Sequence, residues 1–383
     1  MSVQQNMEIF NKIKPKIGLA ITMATFYVTT EPLWQRVIIK ASFISTALCP
    51  FCSILHIAKT FEGQFTGNLA MELMFFFACT QILSKSVLMR YHRKKLLELL
   101  NKVQSLHENL ENEKLNSIAK NNLKTFSSIW VTCFKLLKAI LNTMVFTFSI
   151  TNAVKGKSGI FVPLPLIPTD FAYYTQIMLF VQFIFSSLAV MLAFYIDLCI
   201  AFFGFEIMAA SDILYDYIST EKDLIQEDKD FLKNVTIRFC LVVNDIKTFN
   251  EIISISNFVQ FVSSAFLIFA IFFFIRLYPR DPVGYILILA LLVQLFLPCV
   301  FGEFIKTKME KLSTIFYLTN WYDLSVKDQK SFLIIQGIFQ RVYGIKAVGM
   351  YDVNIYTFIT IVKMAASWCA FMFTLETTIE KAV

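Results

Sequence analysis

Charge is scarce in this chain. Only 16% of its 383 residues are Asp, Glu, Lys or Arg, against about 25% in an ordinary soluble protein. Hydrophobic residues make up 56%, 41 of them Phe, and the mean hydropathy is +0.61. A water-soluble globule of this length has too little interior to hide so much apolar surface, so the composition excludes one and points to a polytopic membrane protein. Histidine is rarer still. His56, His92 and His107 are the three present and lie far apart without ligand spacing, so no metal site is expected. No G-x-S-x-G elbow, H-E-x-x-H pair or phosphate-binding loop occurs, so the chain is not expected to be an enzyme, and neither a cofactor nor a nucleic-acid partner is expected. A secretory leader is also missing, because Met1 to Lys16 is polar and mixed in charge. The first spanning helix is then left to target the chain.

What is present is a series of long apolar runs. Seven are long enough to cross about 30 Å of hydrocarbon at about 1.5 Å per residue, at 35–58, 67–91, 128–152, 172–206, 253–277, 283–305 and 353–375. The predicted fold class is an all-α polytopic membrane protein with seven transmembrane helices. The fourth run would extend over about 50 Å, so its later end, past Glu206 and Asp212, is expected to project into water as helix.

Lys and Arg set the orientation. Connections on the N-terminal side carry 25 of the 35, and those on the opposite side carry 6. The N-terminus is therefore predicted cytoplasmic and the C-terminus extracellular, the reverse of a G-protein-coupled receptor. Two observations agree: the outer connections hold no Cys, and the one sequon, Asn234-Val235-Thr236, falls inside. Cys49-Pro50-Phe51-Cys52 has a redox spacing but sits in an apolar run, which reads as packing.

These rules divide the chain into a cytoplasmic N-terminal segment 1–34, six transmembrane helices within 35–305, a cytoplasmic region 306–350, and a last helix with a short outer tail, 351–383. Residues 92–126 and 207–252 read as amphipathic cytoplasmic helices, and Ser331 to Gln340 as a half-apolar helix too short to span. Three such stripes are either solvated loops or a helical layer that packs subunits together. The outer loop 153–171 contains Pro163, Pro165 and Pro168. It cannot be regular helix and is the candidate lid over a cavity.

Two groups of residues stand out. In the last run, Ser367, Phe371, Thr374 and Leu375 share one helical face. Mixed hydroxyls and large apolar groups suit a pore wall, and the small residues beside them equally suit close helix packing. In the outer halves of the earlier runs, Met71, Met74, Phe75, Met144, Thr147, Phe148, Tyr174, Ile177, Met178, Val181 and Tyr285 supply thioethers, rings and a few hydroxyls. That mixture fits an adaptable apolar pocket, and it also fits an ordinary core or lipid-facing surface. Glu72 is the one acid in an outer half of a span, and is either functional or hydrogen-bonded to a Ser, Thr or Lys on a neighbouring helix. Lys363 either faces water or snorkels.

The stretch Asn320 to Ser325, then Lys330 to Gln336, Gln340-Arg341-Val342, Ile345-Lys346-Ala347, Gly349, and Tyr356-Thr357-Phe358 through Lys363 to Ser367-Trp368, resembles the C-terminal signature of insect odorant receptors. The detailed match covers roughly the last 65 residues. The resemblance implies a ligand-gated cation channel subunit in a heterotetramer with a shared co-receptor, in the plasma membrane of a sensory neuron dendrite. It implies a central pore lined by the last helix and a cytoplasmic helical anchor. The short 207–252 connection looks like a ligand-specific subunit rather than the co-receptor. Carried over by position, Phe371 and Leu375 fall at the hydrophobic gate and Thr374 at a polar pore position, and the pocket for a small volatile odorant falls among the residues named above. The sister gustatory family, a G-protein-coupled receptor, and a membrane enzyme or transporter are the rival readings. The last helix, the charge count, and the absence of catalytic groups and repeat halves respectively fit them poorly.

Overall fold

The computed structural model describes residues 2–27, 32–60, 67–108, 113–156, 171–225 and 230–382. Ten α-helices run in chain order through them: α1 Ser2–Thr25, α2 Leu33–Thr60, α3 Gly67–Tyr91, α4 Arg93–His107, α5 Glu113–Lys155, α6 Tyr174–Glu221, α7 Phe231–Leu277, α8 Pro282–Tyr317, α9 Val326–Phe339 and α10 Ile355–Ala382. Six of them, α2, α3 and α5 to α8, are long and apolar enough to cross a membrane. The apolar run of α10 is shorter among the described residues, Ile355–Phe371. The fold is an almost entirely helical membrane bundle, as the composition requires. Its outward-facing side chains are apolar where lipid would meet them, as with Leu33, Val37, Ile44, Phe51 and Ile54 on α2. A helix bonds its own backbone N–H and C=O groups within the segment, which suits spans that cross hydrocarbon.

Several helices outrun the bilayer at one end only. α6 has 48 residues and α7 has 47, or about 70 Å each. The later end of α6 continues as helix past Glu206 and Asp212, as its length predicted. The 92–126 region is two elements rather than one, α4 and the beginning of α5, while 207–252 is the paired extensions of α6 and α7. We call this the extended end of the bundle, and the opposite end, where α2, α5 and α7 stop, the short-loop end. Most of the predicted 153–171 lid, residues 157–170, lies outside the described residues. At its margin Lys155 of α5 makes an ion pair with Asp281. Asp281 also caps α8, accepting from Val283 N at 3.0 Å ahead of Pro282, the arrangement expected of an acid at N-cap and a proline at N1.

A further helix, unassigned from sequence, is α1. Phe10, Ile13, Ile17, Ala20, Ile21 and Ala24 are buried at helical spacing, and the helix packs against α3, α4, α5 and α6.

At the extended end, aromatic rings lock four elements together. Phe339 of α9 stacks between Phe239 of α7, with centroids 3.6 Å apart, and Phe316 of α8, 4.3 Å away. Phe332 stacks on Phe316 at 4.5 Å and on Trp321 at 5.4 Å. A two-stranded hairpin follows, Lys346–Ala347 with Tyr351–Asp352. Its turn places Val348 and Gly349 at φ 52° and 70°, a region a glycine adopts freely and a β-branched residue does not. The hairpin is tied to α7, since Lys346 N donates to Asn250 Oδ1 and Val348 N to Ser254 Oγ, both at 2.7 Å.

Asp245, on the extended part of α7, yields a prediction. Burial pushes its carboxyl above the usual range. Lys102, 3.4 Å away, pulls it down by less, and Glu98 adds a smaller upward push. An acid raised in the folded state binds its proton more tightly there than in the unfolded chain. Its contribution is therefore present below the unfolded pKa and lost as pH rises through the folded one. Asp245→Asn should stabilise purified protein at about pH 8 by on the order of 0.5–1 kcal/mol, read as a higher melting temperature, and change stability little at about pH 4. A variant less stable than wild type at the higher pH would show that the Lys102 contact outweighs burial.

Candidate functional site: an apolar cavity in the membrane bundle

A cavity of about 270 Å³ lies between α3, α5, α6, α7 and α8. Each wall is one face of a helix at i, i+4, i+7 spacing. α3 contributes Met74, Phe75, Ala78, Gln81 and Ile82; α5 contributes Leu137, Leu141, Met144, Val145 and Phe148; α6 contributes Ser186, Ala189, Val190, Ala193, Phe194 and Asp197. α7 adds Leu267 and Ile271, and α8 adds Ile286, Leu287, Ala290, Leu291, Val293, Gln294 and Leu297. Room exists because Ala78, Ala189, Ala193 and Ala290 stand where larger side chains would close it. Phe75 and Phe148, with centroids 6.0 Å apart, bridge α3 and α5 at its short-loop end.

Of the eleven residues singled out from sequence, Met74, Phe75, Met144 and Phe148 line this cavity. Met71 is buried one turn nearer the short-loop end, and Met178 is buried two turns before the cavity begins on α6 at Ser186. Tyr174 and Ile177 are half-buried in the same first turns of α6. Val181 lines a separate space of about 20 Å³ that shares Phe75, Cys79, Ser186 and Ala189 with the main cavity. Thr147 is exposed on the far side of α5, and Tyr285 is exposed with its hydroxyl donating to Pro279 O at 3.1 Å. The cavity thus sits deeper along α6 than the first turns. Leu137, Leu141, Leu287 and Leu291 were missed because Leu and Ala at helical spacing look the same in a core and in a cavity wall.

Three acids inside the apolar runs are paired across helices. Glu72 Oε1 lies 2.7 Å from His56 Nδ1 on α2, a histidine partner rather than the Ser, Thr or Lys expected. Asp197 Oδ1 lies 2.8 Å from Lys85 Nζ on α3, with Lys85 almost completely buried. Glu206 Oε2 lies 3.3 Å from buried His107 Nε2. An unpaired charge in such surroundings is costly, so pairing across helices is the stable solution. Lys85 and Asp197, opposite charges on different apolar runs, close the cavity's far end.

The α8 wall is polar at one point for a backbone reason. Pro298 has no N–H, so the Gln294 carbonyl one turn earlier lacks its helical donor. Gln260 of α7 supplies it, Nε2 to O at 2.8 Å. From α8 the packing passes to α10. Phe296 meets Phe358 edge-on with centroids 5.2 Å apart, and Gly302 lies against the Val353 backbone. α10 packs on α7 and α8 through buried Ile361, Ala365 and Cys369. Ser367, Phe371 and Thr374 point away from the bundle, with Lys363 on the same exposed side. The side chain of Leu375 lies outside the described residues.

A family model described as the 7tm odorant receptor matches residues 66–366. The insect olfactory receptor OR5 from Machilis hrabei has the same fold. Its structure superposes with a TM-score of 0.74 at 12% identity, covering 97% of this chain and 99% of that one. The structure of that receptor in complex with eugenol superposes with a TM-score of 0.77 at 11% identity over the same shares. No curated protein sequence matches the chain.

Proposed function

The chain belongs to the 7tm odorant receptor family, and from that premise we propose that it is the ligand-specific subunit of an odorant-gated, non-selective cation channel. The observation that carries the reading is the largely apolar cavity of about 270 Å³ inside the membrane bundle. At interior packing density it has room for about 10 to 13 non-hydrogen atoms, the size of a volatile molecule. A receptor of the same fold forms a complex with eugenol, which supports a small odorant as the ligand class.

In this reading the N-terminus is cytoplasmic and the C-terminus outside, as the Lys and Arg count requires. The protein sits in the plasma membrane of a sensory dendrite. The odorant enters beneath the 153–171 connection. It packs among Met74, Phe75, Met144 and Phe148, with Met71, Tyr174, Ile177, Met178 and Val181 on the approach from the outer side. The exposed face of α10, with Ser367, Phe371 and Thr374 followed by Leu375, lines a central pore shared with co-receptor subunits in a heterotetramer. Exposed Val326, Leu333, Ile334 and Val342 around α9 give the cytoplasmic anchor an apolar surface for those neighbours. α8 touches ligand on one face and α10 on another, so a ligand that prefers one position of α8 biases the pore. It shifts the equilibrium only by that preference. Ten atoms at roughly −0.5 kcal/mol each give an affinity of order 0.1–1 mM.

The test is whole-cell current evoked by a panel of volatile esters, alcohols and terpenes. Cells express this chain with an insect odorant co-receptor, or this chain alone, with G-protein signalling blocked. Fast cation current in the paired cells is expected, and a response abolished by the block would overturn the channel reading. Ala290→Phe fills a large part of the cavity and should raise the half-activating concentration tenfold or more with surface assembly intact. Unchanged dose dependence would place the ligand elsewhere.

A further inference from the structure

The inner end of the cavity is not apolar. Gln81 is 1% exposed, lines the cavity, and its amide Nε2 has no hydrogen-bond partner among the described residues. One turn further along the same face of α3, Lys85 holds Asp197 Oδ1 at 2.8 Å. The Asp197 side chain keeps 25% of its surface, and it lines the cavity too. A carboxylate has roughly four acceptor positions, and Lys85 occupies one. The inner end therefore presents an unused N–H donor on α3 and an unused anionic acceptor on α6, both in the cavity wall under a long apolar sleeve.

We propose that this is a recognition subsite for a neutral hydroxyl, and that the ligand class of the receptor is medium-chain or aromatic alcohols that enter with the hydroxyl inward. The inference rests on the odorant-cavity reading above and narrows it. A hydroxyl is the smallest group that answers both partners, since its O–H donates to the Asp197 carboxylate and its oxygen accepts from the Gln81 amide. An ether or ester accepts from Gln81 and leaves the carboxylate unanswered. An ammonium answers Asp197 but sets N–H against N–H at Gln81. It also adds a positive charge to a site where Lys85 already balances Asp197. A hydrocarbon leaves both groups bare in a low-dielectric space, where unmade hydrogen bonds are costly. Ser186, the neighbouring hydroxyl, is already committed, donating to Gln182 O of its own helix at 2.8 Å.

The experiment uses the full chain with its co-receptor, purified into nanodiscs. Apparent affinity is read from thermal stabilisation at equal ligand concentration in the bilayer, so it does not depend on gating. Four ligands of about ten non-hydrogen atoms each, the size the cavity admits, differ only at the head: 1-nonanol, methyl octyl ether, decane and nonylamine. The expected result is that 1-nonanol binds at least tenfold more tightly than each of the others. Gln81→Met, matched in length, should reduce the preference for alcohol over ether to within about threefold while decane binding persists. Gln81→Asn, which withdraws the amide by one methylene, is the companion should Met destabilise the bundle, and it should weaken the preference in the same direction. Ser186→Ala should leave the preference unchanged.

Equal binding of ether and alcohol by the wild type overturns the subsite. So does an alcohol preference that survives both Gln81 substitutions, or tighter binding of the amine. Stabilisation by none of the four overturns both the subsite and the cavity reading. Current recorded from the same pair separates the two. Alcohol-selective stabilisation without current leaves the subsite standing and removes the channel, and current gated equally by all four heads does the reverse.

Discussion

Gly302→Ala should abolish ligand-evoked current and leave little monodisperse protein after solubilisation. A Cβ at this position would lie 1.8 Å from the Val353 carbonyl oxygen and 2.9 Å from its carbonyl carbon. Both are backbone atoms, so no rotamer change relieves the clash. The segment it would push on is held from both sides. Val353 N donates to Ile345 O at 2.9 Å, and Asn354 caps the first turn of α10 by accepting from Thr357 N at 2.8 Å. Overpacking inside a core costs about 1–3 kcal/mol even where side chains can adjust, and this site lacks that freedom, so a loss of at least about 3 kcal/mol is expected. Gly337→Ala is the matched control. It lies in α9 with nothing within 4 Å of where the added methyl would stand, and Ala is favoured there by about 0.8–1 kcal/mol. If Gly302→Ala expresses and conducts as Gly337→Ala does, α10 does not seat on α8 through this contact.

Lys85→Met should be nearly as damaging, for an electrostatic reason. The substitution keeps the volume of the side chain but leaves Asp197 as an uncompensated carboxylate inside the bundle. Removing one partner of such a pair costs about 3–5 kcal/mol, whereas removing both is often close to neutral. Lys85→Met with Asp197→Leu should therefore recover most of the folded yield, as measured by fluorescence-detected size exclusion, while losing the polar end of the cavity. The contrasting pair is Lys95 with Glu251, 2.6 Å apart but with side chains 44% and 58% exposed. There Lys95→Met should change stability by no more than about 0.5 kcal/mol. Equal tolerance of the two Met variants would mean that Lys85 and Asp197 do not meet.

The residues that were legible in the sequence and those that were not differ in kind. Length and hydropathy located all six helices that are long and apolar enough to cross among the described residues, because a membrane accepts segments that bond their own backbone. The α6 extension followed from arithmetic on one apolar run. α1 was missed although Phe10, Ile13, Ile17 and Ala20 carry a clear helical spacing, since its charged first half and short apolar second half together fall short of a membrane-length run. The break between α4 and α5 and the 346–352 hairpin were also missed. The hairpin is held by Asn250 and Ser254, nearly a hundred residues earlier in the chain, and no local rule anticipates such a tie. In the cavity, Met and Phe drew attention because of their chemistry. The alanines that open the space, and the leucines that face it, carry no such mark.

The amino-acid sequence by itself determined that the chain is a helical membrane bundle, which long segments are apolar enough to cross, and, through its C-terminal signature, which family it resembles. These follow from one-dimensional quantities: apolar run length, charge per connection, and residue order. Only the tertiary structure decided which helix faces enclose a cavity, that Lys85 finds Asp197, that Gln260 answers the carbonyl freed by Pro298, and that Gly302 admits the backbone ahead of α10. Each of these depends on the rotation and depth of one helix against another. Those are set by side-chain packing across residues far apart in the chain, and a periodic pattern on a single helix does not contain them.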